Sequence, residues 1–158
     1  MTTSDDLLNQ AISIYLSALK NLGHFVSQPA SRYSLSFEQY LILQEIVTKP
    51  GIKLMDIAHQ RRVTRSAVSR QLRVLLNNNY VRQEQVQADR RKVALVPTAM
   101  GERVATNVQT RIRQRFAKWV DIYGEARGQK LLQLLDEFNQ QVIQPENDQP
   151  RKDKENND

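Results

Sequence analysis

The residues best suited to chemistry lie between Thr64 and Lys92. Arg65, Ser66, Ser69, Arg70 and Arg73 fall on one side of a helical projection, opposite Ala67, Val68, Leu72 and Leu75. An arginine fork pairs bidentately with a guanine edge, and a serine hydroxyl serves either a groove edge or a phosphate. Thr64 precedes them as a natural N-cap, and a capped helix start offers free N–H groups to a phosphate. A second set, Asp89, Arg90, Arg91 and Lys92, is too charged for a core. As the tip of a hairpin it would follow a phosphate backbone or place Arg in a narrow minor groove. Asp89 would be repelled by phosphate, so its expected role is to hold a neighbouring arginine in place. Plain solvent exposure on an amphipathic helix is the alternative for the first set, and an ordinary solvated turn for the second.

Catalytic chemistry has little to draw on. There is no Cys, which removes disulfides, thiolate metal sites and cysteine nucleophiles. Only His24 and His59 are present, no phosphate loop or nucleophile motif occurs, and Asp56 has no partner acid. Neither a metal nor a cofactor is expected, and an enzyme is the weaker reading. The net charge of +6 is unevenly placed: residues 1–52 carry −1, residues 53–92 carry +7 and residues 93–158 carry 0. A concentrated basic segment is the footprint of a polyanion binder.

The elements that must position these residues are mostly helical, as 5 Gly and 5 Pro in 158 residues suggest. From Asp5 to Val26, apolar residues at Leu8, Ile12, Tyr15, Leu19, Leu22 and Val26 step by four and three along a helix. Leu7, Ala11, Ile14 and Ala18 widen this stripe, so it needs more than one neighbour. Gln28 to Ser31, containing Pro29, reads as a loop. Ser36 and Gln39 form a capping box, with Leu35 and Tyr40 as a staple, ahead of a helix that stops before Pro50-Gly51. A short helix over Leu54 to Gln60, a turn at Arg61-Arg62-Val63 and a helix from Arg65 to about Asn78 spell a helix-turn-helix. The turn lacks the glycine often found there. Asn79 suits the left-handed exit.

Tyr80 to Val86 and Lys92 to Val96 are short strand candidates joined by a charged tip at 87–91. Thr98 caps a long helix to about Tyr123, Gly124 breaks it, and a last helix reaches Ile143 with Leu131, Leu134, Leu135, Phe138 and Val142 on one stripe. Residues 144–158 hold no apolar side chain and read as a disordered tail. No run approaches the ~20 apolar residues that cross a bilayer, and no signal peptide is visible, so a cytoplasmic protein without membrane contact is expected.

The run Ser66-Ala67-Val68-Ser69-Arg70-Gln71-Leu72, the stretch from Leu75 through Tyr80-Val81-Arg82, the wing from Asp89-Arg90-Arg91-Lys92 to Pro97-Thr98, and Gly101 resemble the MarR family of bacterial regulators. The resemblance spans about residues 5–143. It implies a mainly α fold with a small β-hairpin wing. The winged helix-turn-helix, residues 35–97, would bind DNA, and helices over 5–30 and 98–143 would hold a homodimer. It further implies double-stranded DNA as partner, a pseudo-palindromic operator, usually repression, and in many members release by a small-molecule effector. Arg91 is then expected near the minor groove or paired with Asp89. Tyr15, His24, Phe25, Tyr33 and Tyr40 could line an effector cleft, although ordinary core and rim positions are the stronger reading for each, and no ligand site is assigned. The family commonly has Gly where this chain has Asn79. Without Cys, the peroxide-sensing branch is excluded, and two histidines make a multi-histidine zinc sensor improbable. A winged-helix protein-interaction adaptor is the alternative.

Overall fold

The structure is a computed structural model that describes residues 3–86 and 89–145, with the backbone alone for residues 19, 86 and 89–92. Helix α1 (Ser4–Ile14) begins on a capping box in which Thr3 and Asp6 exchange backbone-to-side-chain hydrogen bonds. One π-helical turn, Tyr15–Leu19, leads into α2 (Lys20–Ser31). The expected loop at Gln28 to Ser31 is therefore helical. Pro29 removes one donor from the ladder, but Pro29 and Ala30 are buried and Ala30 joins the core, so tertiary packing outweighs the local penalty. The chain leaves α2 through Ser34 at φ 56°, with Ser34 N–H donating to Ser31 and Leu35 N–H to Ala30.

Helix α3 (Phe37–Thr48) starts on the expected capping box: Gln39 N–H donates to Ser36 Oγ at 3.1 Å and Ser36 N–H to Gln39 Oε1 at 2.9 Å. Helix α4 (Leu54–Gln60) and helix α5 (Arg65–Asn77) follow with the expected short turn. Asp56 works locally, its carboxylate accepting the N–H of Lys53 at the start of α4. Strands β1 (Val81–Val86) and β2 (Asp89–Pro97) form an antiparallel hairpin.

This hairpin is longer than the sequence suggests. Backbone pairing resumes at Asp89, opposite Val86, and then shifts register so that Gln85 faces Val93. Arg90, Arg91 and Lys92 thus occupy an irregular segment of β2, not a free tip. A bulge absorbs residues that a regular ladder would leave over. The tip proper, 87–88, lies outside the described residues. Ile52 adds a bridge to Leu95, with Gly51 N–H donating to the Leu95 carbonyl and Leu95 N–H to that of Ile52. Two residues are too few to leave a periodic signal.

Helix α6 (Ala99–Tyr123) ends at Gly124, whose φ of 89° suits glycine. Helix α7 (Glu125–Phe138) runs into a π-helical turn at Asn139–Ile143, and helix continues through Gln144 and Pro145. The expected disordered tail therefore does not begin at 144, since 144 and 145 are helical; residues 146–158 lie outside the described residues.

The chain divides into two compact units, the first ending at Arg113 and the second starting at Gln114. The first holds one core, built from Ile42, Leu43 and Ile46 of α3, Ile57 of α4, Val68, Leu72 and Leu75 of α5, Val81 and Leu95 of the hairpin, and Val104, Ala105 and Val108 of α6. Helix α1 contributes no buried residue to it. Its apolar side chains stay open to solvent, as do those of α7 in the second unit. Among the described residues no helix is long and apolar enough to cross a membrane.

Candidate nucleic-acid interface

Helix α5 has one face in the core and one in water. Val68, Leu72 and Leu75 are at most 2% exposed, while Arg65, Ser66, Ser69, Arg70 and Arg73 are all exposed. The sequence pattern therefore divides as expected, because three buried aliphatics at positions i, i+4 and i+7 leave the polar positions no place but outward. Thr64 Oγ1 accepts the Ala67 N–H at 3.2 Å, and its hydroxyl lies 3.0 Å from that of Ser66. The start of the helix is thus capped and lies among exposed cations.

Two neighbouring residues of α3 hold this motif from behind. Glu38 accepts a hydrogen bond from Arg61 Nε at 2.9 Å and pairs with its Nη2 at 2.8 Å. Gln39, already committed to the capping box, donates from Nε2 to Gln71 Oε1 at 2.9 Å. The first turn of α3 therefore grips both the inter-helix turn and the middle of α5. Sequence reading missed these links because the partners lie 23 and 32 residues apart, beyond any local spacing rule.

The turn shows how it manages without glycine. Arg62 takes φ 52°, with its N–H donating to the His59 carbonyl and Val63 N–H to that of Ala58. This is the hydrogen-bond pattern of a left-handed helix exit, made with an arginine at the position that favours glycine. For an ordinary L-residue the conformation costs roughly 1–2 kcal/mol. The exit of α5 repeats the pattern at Asn79, φ 57°, as expected for asparagine. There Asn79 N–H donates to Leu76 and Tyr80 N–H to Leu75.

The root of the hairpin is clasped to α6. Thr98 Oγ1 donates to the Asn79 carbonyl at 2.7 Å, its N–H donates to the Tyr80 carbonyl at 3.0 Å, and its Oγ1 accepts the Gly101 N–H at 3.0 Å. Gly101 is buried, and a Cβ there would run into the Tyr80 carbonyl oxygen. The backbone of β2 carries Asp89, Arg90, Arg91 and Lys92 out from this root. Their side chains lie outside the described residues, and with them the expected pairing of Asp89 with an arginine.

The aromatic residues considered for an effector cleft differ in burial, with Tyr33 packed against the core that holds Tyr40. Tyr40 is a core residue, and burial raises its phenol above the usual value despite the opposing charge of Arg113. The Tyr33 carbonyl accepts from the Tyr80 hydroxyl at 3.2 Å. Tyr15, His24 and Phe25 are exposed on the N-terminal helices. Among the described residues no cluster of His, Asp or Glu is placed to hold a metal.

Comparison with known proteins follows the same outline. A sequence profile of the MarR family matches residues 33–92. An uncharacterized HTH-type transcriptional regulator of Staphylococcus aureus is 26% identical over 99 residues, 62% of this chain and 64% of that protein. The chain thus matches somewhat under two thirds of that relative's length. Among solved structures, a MarR family transcription regulator superposes with a TM-score of 0.75 at 17% identity, over 94% of this chain and 99% of that one. Staphylococcus aureus MarR in complex with salicylate and kanamycin gives 0.64 at 20% identity, over 89% and 92%. Reduced AbfR bound to DNA gives 0.60 at 17% identity, over 87% and 93%. At these identities the structures establish the fold.

Proposed function

We propose that the chain is a winged helix-turn-helix transcriptional regulator of the MarR type, not an enzyme, that binds a pseudo-palindromic DNA operator as a homodimer and represses transcription, a reading supported by the family profile over residues 33–92 and by the shared fold. The observation that carries the reading is the outward face of α5, with Arg65, Ser66, Ser69, Arg70 and Arg73 exposed over a buried aliphatic face. In this reading Thr64 and these five residues enter the major groove, Arg70 reads bases, and Asp89 to Lys92 form a wing that tracks the backbone. Residues 35–97 act as the DNA-binding region. Residues 5–30 and 98–143 provide the dimer contacts, and 144–158 serve as a tail. The exposed apolar stripes support the dimer: Leu8, Ile12 and Tyr15 on the N-terminal side and Leu134, Leu135 and Phe138 on α7 are all between 44% and 58% exposed. Contiguous apolar surface of this kind marks an association site. Twofold symmetry would place two copies of α5 ~34 Å apart, one DNA turn. The salicylate complex of the structural neighbour supports release by a small-molecule effector, and a regulator of this type would act in the cytoplasm.

Selection of bound sequences from a random DNA pool tests the reading directly. It should return a palindromic site whose affinity falls steeply with salt. On that site Arg70→Ala should erode discrimination between sequences, whereas Arg90→Ala should weaken all sequences evenly. Absence of any DNA binding at low salt, or a salt-insensitive interaction with a protein partner instead, would overturn it in favour of the adaptor.

A further inference from the structure

The helix-turn-helix turn carries two adjacent arginines with opposite situations. Arg61 is turned inward and neutralised by Glu38. Arg62 is exposed, and among the described residues no acid pairs with it. Arg62 also holds the one backbone position of the turn where glycine would be more comfortable. It borders an open recess of about 400 Å³ together with Met55, Ala58, His59, Val63 and Arg65. No carboxylate lines that recess, and two guanidinium groups stand at its edge. Met55 and Val63, both partly exposed, add apolar lining beside the two arginines.

We infer that Arg62 is a DNA-backbone contact, so that a phosphate seats between Arg62 and Arg65 and the turn itself anchors the protein on the duplex. The inference rests on the DNA-binding reading above. An arginine at a strained position is explained by work that glycine cannot do, and an exposed cation beside the recognition helix, with no acid paired to it among the described residues, is placed for a phosphate oxygen. Sequence discrimination is not its task, because the contact is to the backbone.

The test compares stability with the salt dependence of binding. The wild-type chain, Arg62→Gly, Arg62→Asn and Arg62→Lys are titrated with a labelled duplex of arbitrary sequence over a range of salt, and each protein is melted without DNA. Arg62→Gly should melt about 2 °C higher, through relief of the left-handed arginine, yet bind DNA several-fold more weakly. Its slope of log K against log salt should be shallower by about two for a bound dimer, about one for each subunit's lost phosphate contact. Arg62→Asn tolerates the same backbone and should show the same loss of slope, whereas Arg62→Lys should keep it. If Arg62→Gly and Arg62→Asn keep the wild-type slope, the anchor is disproved while the DNA-binding reading stands. If the wild type itself shows no salt-dependent binding, the function reading fails first, and Arg62 with it.

Discussion

Helices α5 and α7 are both amphipathic, but their apolar faces meet different fates. In α5, Val68, Leu72 and Leu75 disappear into a core shared with α3, α4, the hairpin and α6. In α7, Leu132, Leu134, Leu135 and Phe138 remain 44–55% exposed, and Gly128 is its one buried residue. The same periodicity thus serves opposite ends. In the proposed reading the polar face of α5 is the working surface and its apolar face fixes the aim. In α7 the apolar face is the one left open to solvent, which is why it is proposed to meet a second copy. Amphipathicity identifies which side of a helix must be covered, but not whether the cover comes from the same chain.

The sharpest way to break this comparison is to truncate one leucine on each helix. Leu75→Ala should cost about 2–5 kcal/mol and abolish DNA binding by loosening the fold, since the side chain is fully buried. Leu135→Ala should leave the melting of the isolated protomer within ~0.5 kcal/mol but raise the dimer dissociation constant, read by sedimentation equilibrium. Equal destabilisation at both sites would mean that α7 is covered within its own chain.

A smaller effect is expected where α5 hands over to the hairpin. Gly101→Ala sets a methyl group against the Tyr80 carbonyl, and the start of α6 must move. A loss of about 1–3 kcal/mol should appear in thermal melts, with DNA affinity falling only as far as the hairpin root is displaced. The smallest change tests the aim of α5 alone. Thr64→Ala removes the acceptor for Ala67 N–H and should cost about 1 kcal/mol. Thr64→Ser should recover most of that in denaturant titrations.

Local chemistry made much of this legible in advance. The Ser36–Gln39 box, the Thr64 cap and the Asn79 exit all depend on residues within a few positions of each other, and each is found as read. The helical course of Pro29 was not legible, because it is secured by burial of Ala30 in a core assembled from distant segments. The extent of the wing was misjudged for a related reason. Its strands are paired by each other and not by propensity, so Asp89 to Lys92 read as tip although their backbone belongs to β2. At the candidate interface the outward face of α5 was visible from spacing. The Glu38 and Gln39 grips were not, since a charge or amide chooses its partner only after the fold has brought it near.

The clasp at Thr98 has a thermodynamic consequence for the hairpin beyond it. With both strands fastened at their base to Asn79, Tyr80 and Gly101, the ends of the intervening segment are already brought together. The entropy of closing that loop is met once, at the root, whatever the loop contains. Doubling its length would add only about 0.6 kcal/mol. Changes in hairpin length beyond the root should therefore leave α5 and α6 their footing, and the reach of the hairpin becomes a quantity that mutation can adjust apart from the rest of the fold.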